Sequence, residues 1–300
     1  MLTNTPPRST IRLTRRGKLV LVVTGAVVAG TAVAVPLLTL GGGHEEARPV
    51  TLVIPEGWRA SQVYDAVDRA LKLPPGSTRE SVGKAGLKLP DDAKGNPEGY
   101  LFPATYPIGK DATPASVLRF MVDTANKQFY GAPVAAGAQR NAMNVYQLVT
   151  IASLVQAEAD AKADMGKVAR VVLNRLERGM PLQMDSTVNY ALNRNTLGAS
   201  TDDTRIESPY NSYQRMGLPP TPIDNPGAEA MRAAISPPRG DWLYFVTVKP
   251  GDTRFTSDHA THLRNVAEFN ALHQGDGQPK GASPGARTAP SPAPQGSPAR

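Results

Sequence analysis

NVYQLVTIASLVQAEADAKADMGKVARVVLNRLERG, residues 144–179, carries the spacing of two helices and the turn between them. Asn144 suits the N-cap of the first, whose apolar positions Leu148, Ile151, Ala152, Val155 and Ala159 recur at helical intervals. The second begins near Asp164. Val168, Val171, Val172 and Leu176 form its apolar face, Arg175 and Arg178 complement the negative end of its dipole, and Gly179 stops it. The spacing therefore predicts a helical hairpin. On a helical wheel Glu158 falls one turn after Val155 and two after Ile151, on the shoulder of the apolar stripe. Desolvation there disfavours the charged form, so the carboxyl is expected to keep its proton to near neutral pH, as a general acid must. The competing reading is an ion pair from Glu158 to Lys162 or Arg170 that ties the hairpin together.

Outward from the hairpin, residues 181–225 are dense in Tyr, Asn, Thr and Pro, which suits a long binding loop. Helical spacing returns at 227–235 and 261–272, with an alternating strand (Trp242, Tyr244, Val246, Val248) between them. On the N-terminal side, 113–130 reads as an amphipathic helix and 98–106 as an aromatic run. Residues 73–96, rich in Pro, Gly, Lys and Asp, predict a surface path with one short helix near 77–84. Residues 50–54 alternate as a strand, and Val63, Ala66, Val67 and Leu71 mark a helix over 60–71. The expected class is α+β.

The two ends differ in character. Arg8, Arg12, Arg15, Arg16 and Lys18 stand among residues 1–18 without an acid, and residues 19–40 carry no charge. That pattern predicts a cytoplasmic basic segment (1–18), a transmembrane helix (19–40) and a Gly-rich lead (41–49). The uncharged run exceeds the roughly 7–15 residues of a signal-peptide core, so a retained single-pass anchor in the cell membrane is expected, with the folded part outside. The tail, 274–300, is too rich in Pro, Ala, Gly and Ser to build a core and is expected to be disordered. Net charge is +7, and the surplus lies in the basic flank and the tail, which leaves the folded part neutral and excludes nucleic acid as a partner. Cysteine is absent, and His44, His259, His262 and His273 show no ligand spacing, so neither metal nor cofactor is expected.

Five ordered stretches carry a resemblance: EGYLFPATY (98–106), IASLVQAEA (151–159), VLNRLERGMPLQMDSTVNY (172–190), SPYNSYQRMGLPPTPIDNPG (208–227) and DWLYFV (241–246). Together with Phe255 and His262 they resemble the YceG-like family of endolytic murein transglycosylases, the MltG type, with 98–273 as the catalytic domain. The resemblance places the catalytic glutamate at Glu158, by register with Ala152, Ser153, Leu154 and Val155. Many members carry a second Glu two residues earlier, where this chain has Gln156. Side chains two apart leave a helix about 200° apart, so that change should be tolerated. Gln183, Asp185 and Thr187 match one family segment, although Met184 and Ser186 stand where a small polar residue and a Pro are usual. Tyr210, Asn211 and Tyr213 match another. Amides, hydroxyls and aromatic faces read a glycan, so these six residues and Tyr106 are the candidate substrate contacts, with loop scaffolding as the plain alternative. Phe102 belongs to the core. The strand and helix of 50–97 resemble the end of a LysM-like region, here truncated and followed by a connector.

The resemblance implies cleavage of the bond between N-acetylmuramic acid and N-acetylglucosamine in peptidoglycan glycan strands, leaving 1,6-anhydro ends, with cell-wall synthases as partners. Two alternatives stay open: a muramidase that uses Asp185 or Glu98 to position water, and a noncatalytic glycan-binding scaffold protein of the cell wall. The topology is testable. A reporter fused after Arg300 should be active only outside the membrane, and release of a soluble protein beginning near Val35 would show a cleaved signal instead.

Overall fold

The computed structural model describes residues 50–195 and 198–273. The expected basic segment, membrane span, lead and tail (1–18, 19–40, 41–49 and 274–300) lie outside the described residues. Among the described residues, no helix is long and apolar enough to cross a membrane.

The fold mixes helices with two small antiparallel sheets of two strands each. Strand β1 (Val50–Val53) pairs with β2 (Thr105–Ile108), Val53 opposite Thr105, and buried Leu52 sits directly across from buried Tyr106. Helix α1 (Ala60–Leu71) lays Val63, Ala66 and Val67 into the core beside them and ends on Lys72 in the left-handed region. The short α2 (Ser77–Ser81) follows, its entry held by Asp68, which accepts from the N–H of Gly76 and Thr78, each at 2.8 Å. Helices α3 (Pro114–Phe129) and α4 (Ala132–Arg140) complete the first half.

Helix α5 (Val145–Glu158) is the first arm of the hairpin. Asn144 and Gln147 cap it reciprocally: each side-chain oxygen accepts the other's N–H at 2.9 Å. The expected one-sided apolar stripe is not what the structure shows. From Leu148 to Val155 every residue is buried, because α4, α6 (Met165–Glu177), α7 (Asp185–Ala191) and α8 (Ala228–Ile235) all pack on α5. The buried polar groups on it are satisfied nearby: Thr150 Oγ1 donates to Tyr146 O at 2.9 Å, and Ser153 Oγ accepts the Ile223 N–H at 3.1 Å. Gly179, with φ of +60°, ends the second arm as expected.

The last layer is the hairpin of β3 (Tyr244–Lys249) and β4 (Asp252–Thr256) under α9 (His259–His273). Four elements escaped the spacing argument: β2, α4, β4 and, within the expected binding loop, α7.

Where α4 crosses α8, a Cβ on Gly137 would stand 2.4 Å from the Ile235 side chain and 3.2 Å from its Cα. Gly137→Ala should therefore destabilise the protein by about 1–3 kcal/mol, read as a lower denaturant midpoint at unchanged m-value.

Candidate active site

Glu158 is the last residue of α5, where Ala159 turns the chain to extended geometry. Val155, one turn earlier, is fully buried, while Glu158 keeps part of its surface open to solvent. Facing it is α7. Ser186 donates twice to the same carboxyl oxygen, Oε1: its hydroxyl at 2.5 Å and its N–H at 3.3 Å. Burial pushes the Glu158 pKa up to about 7; the Ser186 hydroxyl works against this, nearby Asp185 reinforces it, the Ser186 N–H opposes it, and Asp160 adds a last push upward. A carboxyl poised there is half protonated near neutral pH and can both give and take a proton.

The cations that might have tied Glu158 into an ion pair are engaged elsewhere. Lys162 lies 3.8 Å from Glu56, and Arg170 donates to the carbonyls of Pro238 (2.8 Å) and Pro237 (3.3 Å). Gln156 points away from Glu158, as its offset on the helix requires, and accepts the Gly227 N–H at 3.0 Å at the start of α8.

A buried arginine organises the loops around the carboxyl. Arg175 is 1% exposed; its Nε donates to Leu243 O at 2.7 Å and its Nη1 to Leu182 O at 2.8 Å, Pro181 O at 3.1 Å and Gln183 Oε1 at 3.2 Å. Burial lowers its pKa to about 10 against the opposing pull of Tyr244, Tyr213 and Glu158. The sequence reading assigned Arg175 to the helix dipole and missed this role. The signal was present: Arg175 stands three and four residues after Val172 and Val171, on the buried stripe itself.

The structure interlocks most of the expected binding residues where the start of α7 and the residue before its cap meet the 210–213 loop. Gln183, with φ of +52°, sends its N–H to Ser212 O at 3.0 Å, and the Met184 N–H reaches Ser212 Oγ at 2.9 Å. Asp185 is buried: Oδ1 accepts from the Tyr213 hydroxyl at 2.5 Å and Oδ2 from the Ala199 N–H at 3.1 Å. Thr187 and Asn211 are both 0% exposed. Thr187 Oγ1 donates to Met184 O at 2.7 Å, and Asn211 Nδ2 donates to Ile206 O at 2.8 Å and Thr204 O at 3.1 Å. Both side chains are fully enclosed and fasten these segments to one another. Tyr106 lies in β2. It is 2% exposed, packs edge-on against Phe120 and donates to Phe102 O at 2.6 Å, so it belongs to the core under β2. Tyr210 and Tyr213 stay half-buried, with Tyr210 resting 4.9 Å from the Tyr190 ring.

Glu98, the rival carboxyl, caps α1. It accepts the Ala60 N–H at 2.8 Å and, on its other oxygen, the Tyr190 hydroxyl at 3.1 Å; burial pushes its pKa up to about 7. A cavity of about 480 Å³ opens beside it, lined by Arg59, Tyr64, Asn96, Tyr190 and Asn193 among others. Its walls do not include Glu158, yet Tyr190 follows Ser186 by one turn of α7, so one face of that helix borders both places. Volume alone would point to Glu98, but its two oxygens are committed to a helix cap and a tyrosine, whereas Glu158 keeps Oε2 outside its bonds to Ser186.

A family model described as the YceG-like family matches residues 30–268. The endolytic murein transglycosylase of Bacillus subtilis (strain 168) is 40% identical over 173 residues, 57% of this chain and 48% of the relative. That of Streptococcus pneumoniae serotype 2 (strain D39) is 33% identical over 264 residues, 77% of this chain and 47% of the relative. The chain thus spans about half the length of the curated relatives it matches. The crystal structure of a YceG-like protein from Listeria monocytogenes superposes with a TM-score of 0.63 at 30% identity, covering 72% of this chain and 75% of that one.

The geometry separates Gln156 from the chemistry. Gln156→Ala removes an acceptor at the start of α8 and should cost about 1 kcal/mol in a thermal or denaturant melt.

Proposed function

Because the chain belongs to the YceG-like family, we propose that it is a lytic transglycosylase of peptidoglycan with Glu158 as its single acid/base. The observation that carries this reading is the carboxyl at the end of α5, pushed up to about 7 and partly open to solvent. Protonated Glu158 donates to the oxygen joining N-acetylmuramic acid to N-acetylglucosamine, the bond from the muramyl anomeric carbon breaks, and its electron pair leaves with that oxygen. Glu158, now a carboxylate, takes the proton of the muramyl C6 hydroxyl, whose oxygen closes onto the anomeric carbon. The product carries a 1,6-anhydro end and no water is consumed. Gln183, Tyr210 and Tyr213 hold the sugars, and Asp185, Thr187 and Asn211 hold those loops in place.

The committed oxygens of Asp185 and Glu98 favour this route over hydrolysis, which commonly requires a second carboxylate able to reach water or the anomeric carbon. Asp160, exposed and close enough to influence Glu158, is the carboxylate that a hydrolase could still recruit. The uncharged run at 19–40 supports a single-pass anchor with the folded part outside the membrane, near the synthases whose strands would be cut. The strand and helix of the short LysM-like part serve as support, because β1 pairs with β2 and Glu98 caps α1.

Glu158→Gln should abolish cleavage of isolated sacculi, with a loss near the upper end of the roughly 10²–10⁴-fold that acid/base assistance contributes. Its stability behaves oppositely to that of a broken ion pair. A carboxyl whose folded pKa is raised withdraws stability as pH climbs from its unfolded value through about 7, so Glu158→Gln should melt no lower than wild type at pH 8. Mass spectrometry should find wild-type products lighter by one water than reducing ends, with Asp160→Asn still active. Reducing muramic acid ends would overturn the transglycosylase reading.

A further inference from the structure

With Glu158 as the acid/base proposed above, the two donors on its carboxyl acquire a role of their own. The Ser186 hydroxyl and N–H both fall on Oε1, at 2.5 Å and 3.3 Å. Ser186 occupies the second position of α7, where a backbone N–H has no acceptor within its own helix and is free to point outward. An oxygen that accepts two donors is poorly placed to carry a proton as well, so in the neutral acid the proton belongs on Oε2. We propose that Ser186 is a positioning residue that grips Oε1 of Glu158 and thereby assigns both proton transfers to Oε2.

Two effects follow from that grip. A glutamate has three rotatable bonds, and holding one carboxyl oxygen fixes where the other points, so that the proton is delivered along one line. Both donors also favour the charged form, which offsets part of the push from burial. The other charged groups facing the carboxyl are Asp185 from α7 and Asp160 just past α5, which act in the same direction as burial, and Arg175 from α6, which has the opposite sign. Ser186 is thus the neutral group that determines how far below its desolvated limit the Glu158 pKa lies. Removing a donor from a carboxylate raises its pKa, so the proton-loaded form would persist to higher pH.

The test uses the full chain in detergent micelles, labelled with ¹³C at the glutamate carboxyls, with the Glu158 signal identified by its loss in Glu158→Gln. Ser186→Ala should raise the pH at which Glu158 ionises by about one pH unit, the size expected for one hydrogen bond to a charged group. Ser186→Pro, tolerated in a first helical turn and lacking both donors, should raise it further, while Ser186→Thr, which keeps the hydroxyl, should return it close to wild type. With soluble uncrosslinked glycan strands as substrate, the alkaline limb of kcat/KM should move in step, and kcat should fall about tenfold in Ser186→Ala with little change in KM. An unmoved Glu158 titration in folded Ser186→Ala and Ser186→Pro, checked by circular dichroism, overturns the assignment even if activity falls. Wild-type products without anhydro ends, in a protein whose titration does move, would overturn the transglycosylase reading and leave the Ser186 contact standing.

Discussion

A helix enclosed on every side has no face on which to carry a charge. From Leu148 to Val155 α5 is in that position, and even its Thr150 and Ser153 hydroxyls are spent on backbone groups. A carboxyl can be accommodated only where the enclosure stops, which is the last turn, and Glu158 stands there. The carbonyl end of a helix disfavours negative charge, and burial acts in the same direction. The position that the packing leaves open is therefore also one that holds a proton near neutrality.

The hairpin was legible because its signals are local. The Asn144 cap, the Val168 to Leu176 periodicity and the Gly179 stop each act within a turn or two of chain. What could not be read depends on distant partners. β2 exists because β1 lies beside it, more than fifty positions away in the chain, and Tyr106 is core for the same reason. Residues 181–191 look like loop by composition, yet α7 forms there because Arg175 holds the carbonyls of Pro181 and Leu182 while Ser212 holds Met184. Glu158 could be named as a candidate from its place on the helix and from the family motif together. Ser186 could not, since its importance lies in a contact across twenty-eight residues.

Several acidic groups share this neighbourhood, and their environments sort them. Asp185 is enclosed with both oxygens occupied; Glu98 is enclosed and serves as a cap; Asp160 is exposed; Glu158 is held on one side only. Chemical identity alone would rank these carboxylates together. Their separation comes from how many donors each has met and how much water it retains. Arg175 is the counterpart among cations: a planar group with several donors in fixed directions, which a lysine's single ammonium could not reproduce.

The enclosure of α5 also has a consequence for timing during synthesis. Its walls arrive late, since α8 ends at Ile235 and the Leu243 carbonyl gripped by Arg175 comes later still. A chain that emerges N-terminus first exposes Glu158 well before the segments that desolvate it. Until then the carboxyl sits in water, ionised like any surface acid and without a proton to give. The acid/base role proposed for Glu158 therefore becomes available only when the later part of the chain closes over the earlier.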